Sequence, residues 1–229
     1  MNDVGLVAVA AIVGYLLGSL SFARIIGRIV APGVDLTHTT IIVPNTGERF
    51  EIEGVPASAL TGRASWPWRL AVVLLDMAKA GIPTFAFHAL FPASPAYAAV
   101  FAAAVLGHNW PIYYRFVGGY GISSIIGAVV AFDPLALLVT IPIGVVVGKF
   151  VLDSMSMING FTLLLPIWFL VVQRNVEATI ASVIVLVAYW IAKRTRLTHI
   201  KPSAAGGASG GGTVPVAGSA EPAGGESKP

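Results

Sequence analysis

Long apolar runs constrain the fold of this chain more than any other feature of its sequence. They lie at about residues 4–27, 69–91, 96–114, 119–133, 135–152, 156–173 and 176–193. A helix needs about 20 apolar residues to cross the hydrocarbon core of a bilayer. Only 11% of the residues are charged, whereas soluble domains carry about 25%. The sequence therefore predicts an all-α integral membrane protein with about seven transmembrane helices.

The distribution of Lys and Arg predicts the orientation of these helices. The ends that follow the first, third, fifth and seventh runs carry Arg24, Arg28, Arg63, Arg69, Arg115, Lys149, Lys193, Arg194 and Arg196, and the opposite ends carry Arg174. Because short cytoplasmic loops are enriched in Lys and Arg, we expect the N-terminus outside and the C-terminus in the cytoplasm. The first run precedes its basic residues, which is typical of an uncleaved helix rather than a signal peptide.

Two segments outside the runs have their own composition. The first cytoplasmic loop, residues 31–68, contains β-branched residues 39–43 and charge-alternating residues 49–53 around an Asn/Gly-containing turn. This pattern predicts a small β-hairpin. From about residue 201 the chain is rich in Gly, Ala, Ser and Pro, which predicts a disordered tail because such a segment buries too little apolar surface to fold. We expect a membrane domain at residues 1–200 and a tail at 201–229.

A polar, glycine-rich segment at residues 107–124 interrupts the apolar pattern. Polar groups are costly in hydrocarbon, so this segment must lie at a membrane edge or line a protected site. Gly118, Gly119 and Gly121 lead into Ser123 and Ser124. A glycine turn that opens a helix presents backbone N–H groups to an anion. The pattern indicates a phosphate site, although close helix packing through glycine is an alternative interpretation.

Charged and imidazole side chains add candidate chemistry. Asp76 and Lys79, which we expect one to two turns into the second helix, share a face and can pair. Such a pair inside a span either belongs to a functional site or locks neighbouring helices together. His108 is a candidate general base, and its alternative role is to fix the loop backbone. Its neighbour Asn109 lies at the same helix end.

Other features narrow the classes of function. Arg63 and Arg69 are either phosphate contacts or topology residues. The chain has no Cys and its four His are scattered, so the sequence predicts no metal and no cofactor. The basic residues flank the apolar runs instead of forming one patch, which argues against nucleic acid and favours membrane lipids as surroundings. A small transporter is a weaker hypothesis because the outer loops are short and midplane polar residues are few.

Four ordered motifs resemble a known family. Residues 14–22 (GYLLGSLSF), 75–80 (LDMAKA), 107–111 (GHNWP) and 116–124 (FVGGYGISS) are similar to the family patterns GYLLGSIPF, LDxxKG, GHNFP and FKGGKGVAT. The family is that of the bacterial acyl-phosphate:glycerol-3-phosphate acyltransferases, called PlsY. The resemblance covers about residues 5–200 and includes the seven-helix topology with its N-terminus outside.

The resemblance implies an enzyme at the cytoplasmic face of the bacterial inner membrane. It would transfer a fatty acyl group from acyl phosphate to glycerol 3-phosphate and give lysophosphatidate for phospholipid synthesis. The implied catalytic residues are His108, Asn109, Ser58 and Arg63. The residue patterns, taken together with the resemblance, give as candidate substrate-binding residues Gly118, Gly119, Gly121, Ser123, Ser124, Arg69 and Ser19, with Asp76 and Lys79 as a structural or site ion pair.

Three positions depart from the family pattern and keep a second hypothesis open. The family's first-loop motif, Gly-Ser-Gly-Asn-x-Gly-Ala-Thr-Asn followed by Arg, corresponds to residues 53–63, where Ser58, Thr61 and Arg63 are stand-ins. The Lys of Gly-Gly-Lys-Gly is Tyr120, and the Pro of the first motif is Ser21. The alternative is a relative that is altered or inactive in catalysis. It would bind lipid intermediates or a partner protein, or use another polar acceptor.

Overall fold

The computed structural model describes residues 3–34, 36–42, 49–55, 57–60, 62–151 and 157–200. Within these ranges the chain forms eight α-helices and one antiparallel sheet. The helices are α1 Asp3–Gly18, α2 Phe22–Val30, α3 Trp66–Leu90, α4 Ala96–Asn109, α5 Ile122–Phe132, α6 Pro134–Val151, α7 Phe161–Ile167, which a π-helical segment Trp168–Val172 continues, and α8 Val176–Arg196. The strands are β1 His38–Ile42, β2 Arg49–Glu53 and β3 Leu197–Ile200.

The surface of the helices is apolar and their interior holds many small and polar residues. Leu138 and Phe150 are 72% and 80% exposed. By contrast, Ser19, Asp76 and Asn109 are buried. Such a distribution is expected where lipid surrounds the helices, because polar side chains within a span face protein or water. Among the described residues, three helical stretches are long and apolar enough to cross a membrane: Asp3–Val30, Trp66–Leu90 and Val176–Arg196. Shorter apolar helices lie at Ile122–Phe132, Pro134–Phe150 and Phe161–Val172.

Glycines allow the helices to approach closely. A Cβ on Gly14 or Gly18 of α1 would collide with the backbone of α4, and a Cβ on Gly127 of α5 would collide with the backbone of α3. Close backbone contact through small residues is a common way for membrane helices to associate, because lipid supplies no hydrophobic force between them. These contacts pack α1 against α4 and α5 against α3.

The sequence predicted one continuous helix for the first apolar run, but the structure has two helices there. The helical conformation is interrupted between α1 and α2, at residues 19–21. The Ser19 amide still bonds to the carbonyl of Tyr15, but the Leu20 amide turns to the carbonyl of Leu17 at 3.1 Å. The carbonyl of Leu20 accepts a hydrogen bond from Nζ of Lys79. The break therefore supplies a main-chain acceptor to a charged side chain of α3.

The third and fourth runs are also shorter as helices than predicted. α4 ends at Asn109 because the residue before Pro111 avoids the α conformation. α5 begins at Ile122 because Gly121 adopts a left-handed conformation with φ of 84°. In addition, α3 begins at Trp66, so Asp76 and Lys79 lie in its third and fourth turns and not in the first two.

Two strands lie where the sequence predicts a hairpin. β1 and β2 pair antiparallel from His38 opposite Glu53 to Ile42 opposite Arg49. Residues 43–48, which join them, lie outside the described residues. β3, which directly follows α8, pairs antiparallel with β2 and was not predicted. The amide of Val55, just after β2, bonds to the carbonyl of Gly118 at 3.3 Å, so the end of β2 lies beside the glycine-rich segment.

Candidate active site

The glycine-rich segment folds back onto the end of α4. The amide of Gly119 donates to the carbonyl of His108 at 3.1 Å. A Cβ on Gly118 would collide with the carbonyls of His108 and Asn109, and one on Gly119 with the imidazole of His108. Glycine at these two positions is therefore required for the close approach of residues 116–121, which we call the glycine turn, to α4. This geometry supports the packing interpretation of these two glycines directly.

A buried cluster of three side chains lies beneath the turn. Nζ of Lys79 is 2.8 Å from Oδ1 of Asp76 and 2.9 Å from Nδ1 of His108. Nδ1 of His108 is 3.9 Å from Oδ1 of Asp76, beyond hydrogen-bond distance. Asp76 and Lys79 are 3% and 7% exposed. The predicted ion pair is thus present, and it joins His108 instead of standing apart from it.

The side chain of Asn109 is buried and unpaired. The residue is 0% exposed, and neither its Oδ1 nor its Nδ2 has a hydrogen-bond partner among the residues that the structure describes. A Cβ on Gly121, which precedes α5, would lie 2.6 Å from Oδ1 of Asn109. The hydroxyl of Tyr120 is also buried without a partner, and burial raises the pKa of this phenol. The amide of Asn109, which has no partner among the described residues, therefore lies beside Gly121, the residue that precedes α5.

Two arginines hold the glycine turn from outside. Arg196, at the end of α8, donates to the carbonyls of Gly119 at 2.7 Å, Phe116 at 3.2 Å and Asn109. Arg24 of α2 donates to the carbonyl of Val117 at 2.7 Å and stacks over the ring of Tyr114, which supports its orientation. The sequence indicated only a topological role for both arginines, since nothing in the local sequence indicates which distant carbonyl an arginine reaches.

The structure brings several other predicted residues to this cluster. Ser19 is buried at the break after α1, and its Oγ accepts from the amide of Ile112 at 3.4 Å. The hydroxyl of Ser124 donates to the carbonyl of Asp76 at 3.3 Å, which ties α5 to α3. Both serines therefore use their hydroxyls to connect the elements that surround His108.

Four predicted residues have no described role in the cluster. Arg63 donates to the carbonyl of Ala59 in its own turn at 3.3 Å. Arg69 lies in the first turn of α3, and Ser123 is half-buried in the first turn of α5. Ser58 belongs to the 3-10 turn Ala57–Leu60, and its side chain lies outside the described part of the structure. Their roles in the site remain predictions.

An open cavity of about 140 Å³ is lined by Arg24. Its lining includes Arg28 of α2, Thr37 and Val55. Arg24 and Val55 both bond to the glycine turn. The cavity is therefore adjacent to the turn, and guanidinium groups make its wall basic.

Comparison with known proteins decides the family. The family model described as glycerol-3-phosphate acyltransferase matches residues 8–201. The chain belongs to this family. A glycerol-3-phosphate acyltransferase from Halorhodospira halophila is 29% identical over 79% of this chain and 85% of its own length. One from Hyphomonas neptunium is 33% identical over 71% and 72%. One from Shouchella clausii is 35% identical, but over only 51% of this chain and 52% of the relative.

Solved structures of similar fold agree with this family. PlsY, an integral membrane glycerol 3-phosphate acyltransferase, is similar in its glycerol 3-phosphate form with a TM-score of 0.67 and 22% identity, over 82% of this chain and 88% of PlsY. Its lysophosphatidic acid form has a TM-score of 0.66. The identification from sequence and the assignment to a family of membrane acyltransferases are therefore confirmed.

Proposed function

We propose that this protein transfers a fatty acyl group from acyl phosphate to glycerol 3-phosphate, at the cytoplasmic face of the bacterial inner membrane. Membership of the glycerol-3-phosphate acyltransferase family supports this reaction. The structural observation that carries it is the buried, unpaired amide of Asn109 beside the N-terminus of α5. Buried polar groups are nearly always hydrogen-bonded, so this amide is suited to a polar ligand.

The N-terminus of α5 is the proposed phosphate site. The first N–H groups of a helix have no partner within it, and the helix dipole favours an anion there. Gly121 is the N-cap residue of α5, and it supplies no side-chain hydrogen bond to the first turn of the helix. Nδ2 of Asn109 and the hydroxyl of Tyr120 are two further donors, and neither has a partner within the described part of the chain. A phosphate held there would accept from backbone and side chains together, without the Lys that the family pattern carries at position 120.

The reaction requires the protein mainly to orient the two substrates and to neutralise their negative charge. The hydroxyl oxygen of glycerol 3-phosphate attacks the acyl carbonyl, the bond from that carbon to the phosphate oxygen breaks, and hydrogen phosphate leaves with the proton of the hydroxyl. The acyl phosphate is already activated, so orientation and neutralisation of its charge can supply most of the rate. Cationic groups next to the glycine turn, Arg24 and Arg196, provide a positive field for two phosphorylated substrates.

One assay tests this function. The purified protein in detergent receives acyl phosphate and glycerol 3-phosphate, and lysophosphatidate and released phosphate are measured together. We expect equal amounts of both products, and an Asn109→Ala variant with a raised KM for glycerol 3-phosphate. Absence of lysophosphatidate, with another family member active in the same detergent, would refute the proposal. Binding of glycerol 3-phosphate without turnover would instead identify a non-catalytic relative.

The proposed membrane arrangement has seven crossings, with the N-terminus outside. α1 and α2 together, α3, α4, α5, α6, α7 with its π-helical continuation, and α8 correspond to the seven apolar runs. The basic residues Arg24 and Arg196 meet at the glycine turn, which supports a common cytoplasmic end. A reporter that is active only in the cytoplasm, fused after Lys201, should be active. Activity of a periplasmic reporter at the same position would contradict the arrangement.

A further inference from the structure

Nζ of Lys79 lies close to three polar atoms. Its Nζ donates to the carbonyl of Leu20 at 2.5 Å, lies 2.8 Å from Oδ1 of Asp76, and lies 2.9 Å from Nδ1 of His108. An ammonium group donates three hydrogen bonds and accepts none. The carboxylate of Asp76, 2.8 Å away, favours this charged form of the amine. Nδ1 of His108 then offers its lone pair to Lys79.

Nδ1 of the neutral imidazole then carries no proton, so Nε2 does. A doubly protonated ring would direct an N–H at the ammonium of Lys79, which is unfavourable for two cations in contact. The charged groups that face His108 from the elements around it are Asp76 and Lys79 on α3, Arg24 on α2 and Arg196 on α8. Three cations and one carboxylate favour a neutral ring.

The orientation of the His108 imidazole decides which part of the protein its N–H faces. A Cβ on Gly119 would meet Nε2 of His108 before any other atom, so Nε2 faces the glycine turn. The turn leads into the N-terminus of α5, the proposed phosphate site. Nε2 is therefore on the side of the ring that faces the glycine turn, and Nδ1 is on the side of Lys79.

From this geometry we infer that Lys79 fixes His108 as its Nε2–H tautomer, so that His108 donates a hydrogen bond toward the phosphate site and does not act as a general base. Lys79 is a positioning residue in this arrangement, because it acts on the substrate through the imidazole. The inference rests on the proposed function for its role in catalysis, but the tautomer itself does not depend on it. It also changes the role of general base that the sequence suggested for His108.

The tautomer can be measured without turnover. The protein is labelled with ¹⁵N-histidine in detergent, and the His108 ring is assigned by comparison with a His108→Gln sample. We expect a protonated Nε2 and an unprotonated Nδ1 at neutral pH. In a Lys79→Met variant that still folds, this preference should weaken. A protonated Nδ1 in the unmodified protein, alone or together with Nε2, would overturn the inference even if the enzyme proves inactive.

Substitutions of His108 separate a donor from a base in the active enzyme. The side chain of Gln carries an N–H donor at the position of Nε2 but does not titrate. We expect His108→Gln to retain at least about a tenth of kcat/KM and the pH profile of the unmodified enzyme, and His108→Ala to lose about 10- to 100-fold. If His108 is a general base, both variants lose about 100- to 10,000-fold and the acid limb of the profile disappears. That result would refute the donor role.

Discussion

Replacement of Arg196 by Met should release the glycine turn. The guanidinium donates to three main-chain carbonyls, those of Asn109, Phe116 and Gly119, and the residue is 7% exposed. Each hydrogen bond to a charged group contributes about 1.5–3 kcal/mol. Water and local relaxation offset part of this free energy, so we expect the free energy of unfolding to fall by about 3–5 kcal/mol. This is the usual range when one partner of a buried charged network is removed.

The loss should appear in catalysis because the turn covers His108 and leads into α5. A penalty of about 3 kcal/mol lowers kcat/KM by about 100-fold, since 1.36 kcal/mol corresponds to a factor of ten. Arg196→Lys keeps the charge but reaches fewer of the carbonyls, so its kcat/KM should lie between those of Arg196→Met and the unmodified protein. The assay is phosphate release at varied glycerol 3-phosphate, together with thermal unfolding in detergent.

Arg194→Met is the matched control for this prediction, because Arg194 lies in the same helix turn and is exposed. It should leave kcat/KM and Tm close to those of the unmodified protein. If Arg196→Met and Arg194→Met agree within about twofold in kcat/KM and show the same Tm, the three hydrogen bonds do not hold the turn and the reasoning is wrong.

Three further predictions test the packing and the site. Gly127→Ala should destabilise the protein by about 1–3 kcal/mol, because a Cβ there would enter the backbone of α3; Val130→Ala, at an exposed position of the same helix, should lower Tm much less. Asp133→Asn weakens an acceptor for the side chains of Trp168 and Gln173, so Tm should fall while KM for glycerol 3-phosphate stays the same; a changed KM would contradict a purely structural role. Tyr120→Phe removes a buried hydroxyl without a partner, so Tm should not fall, and KM should rise about two- to tenfold; an unchanged KM would exclude this hydroxyl from the phosphate site.

The predicted residues differ in how the structure uses them. The sequence suggested that the glycines of the turn bind phosphate through freed backbone, yet Gly118 and Gly119 are required because the end of α4 lies against them. Glycine is also favoured at position 121, because the residue has a left-handed φ of 84° at the start of α5. The sequence placed Asn109 beside His108 but did not predict its contacts. In the structure its buried amide has no hydrogen-bond partner among the described residues.

The helices and their family were readable from the sequence by itself. Apolar runs of membrane length and cations concentrated at alternate ends depend only on the local cost of placing each side chain in lipid or water. Motifs such as GHNWP at residues 107–111 are also local, so they identified the family before any contact was known. The ion pair of Asp76 and Lys79 was predictable because residues three apart on a helix face the same way.

The contacts that give the site its chemistry depend on tertiary structure. Lys79 donates to Nδ1 of His108 across 29 positions of sequence, and Arg196 bonds to Gly119 across 77. The break after α1 and the strand β3 likewise arise from partners on other elements. A hydrogen-bond partner is chosen by proximity in the folded chain, and proximity follows from helix packing through glycine. Several residues around the glycine turn could therefore be named from the sequence, but their partners, including those of Arg24 and Arg196, could not.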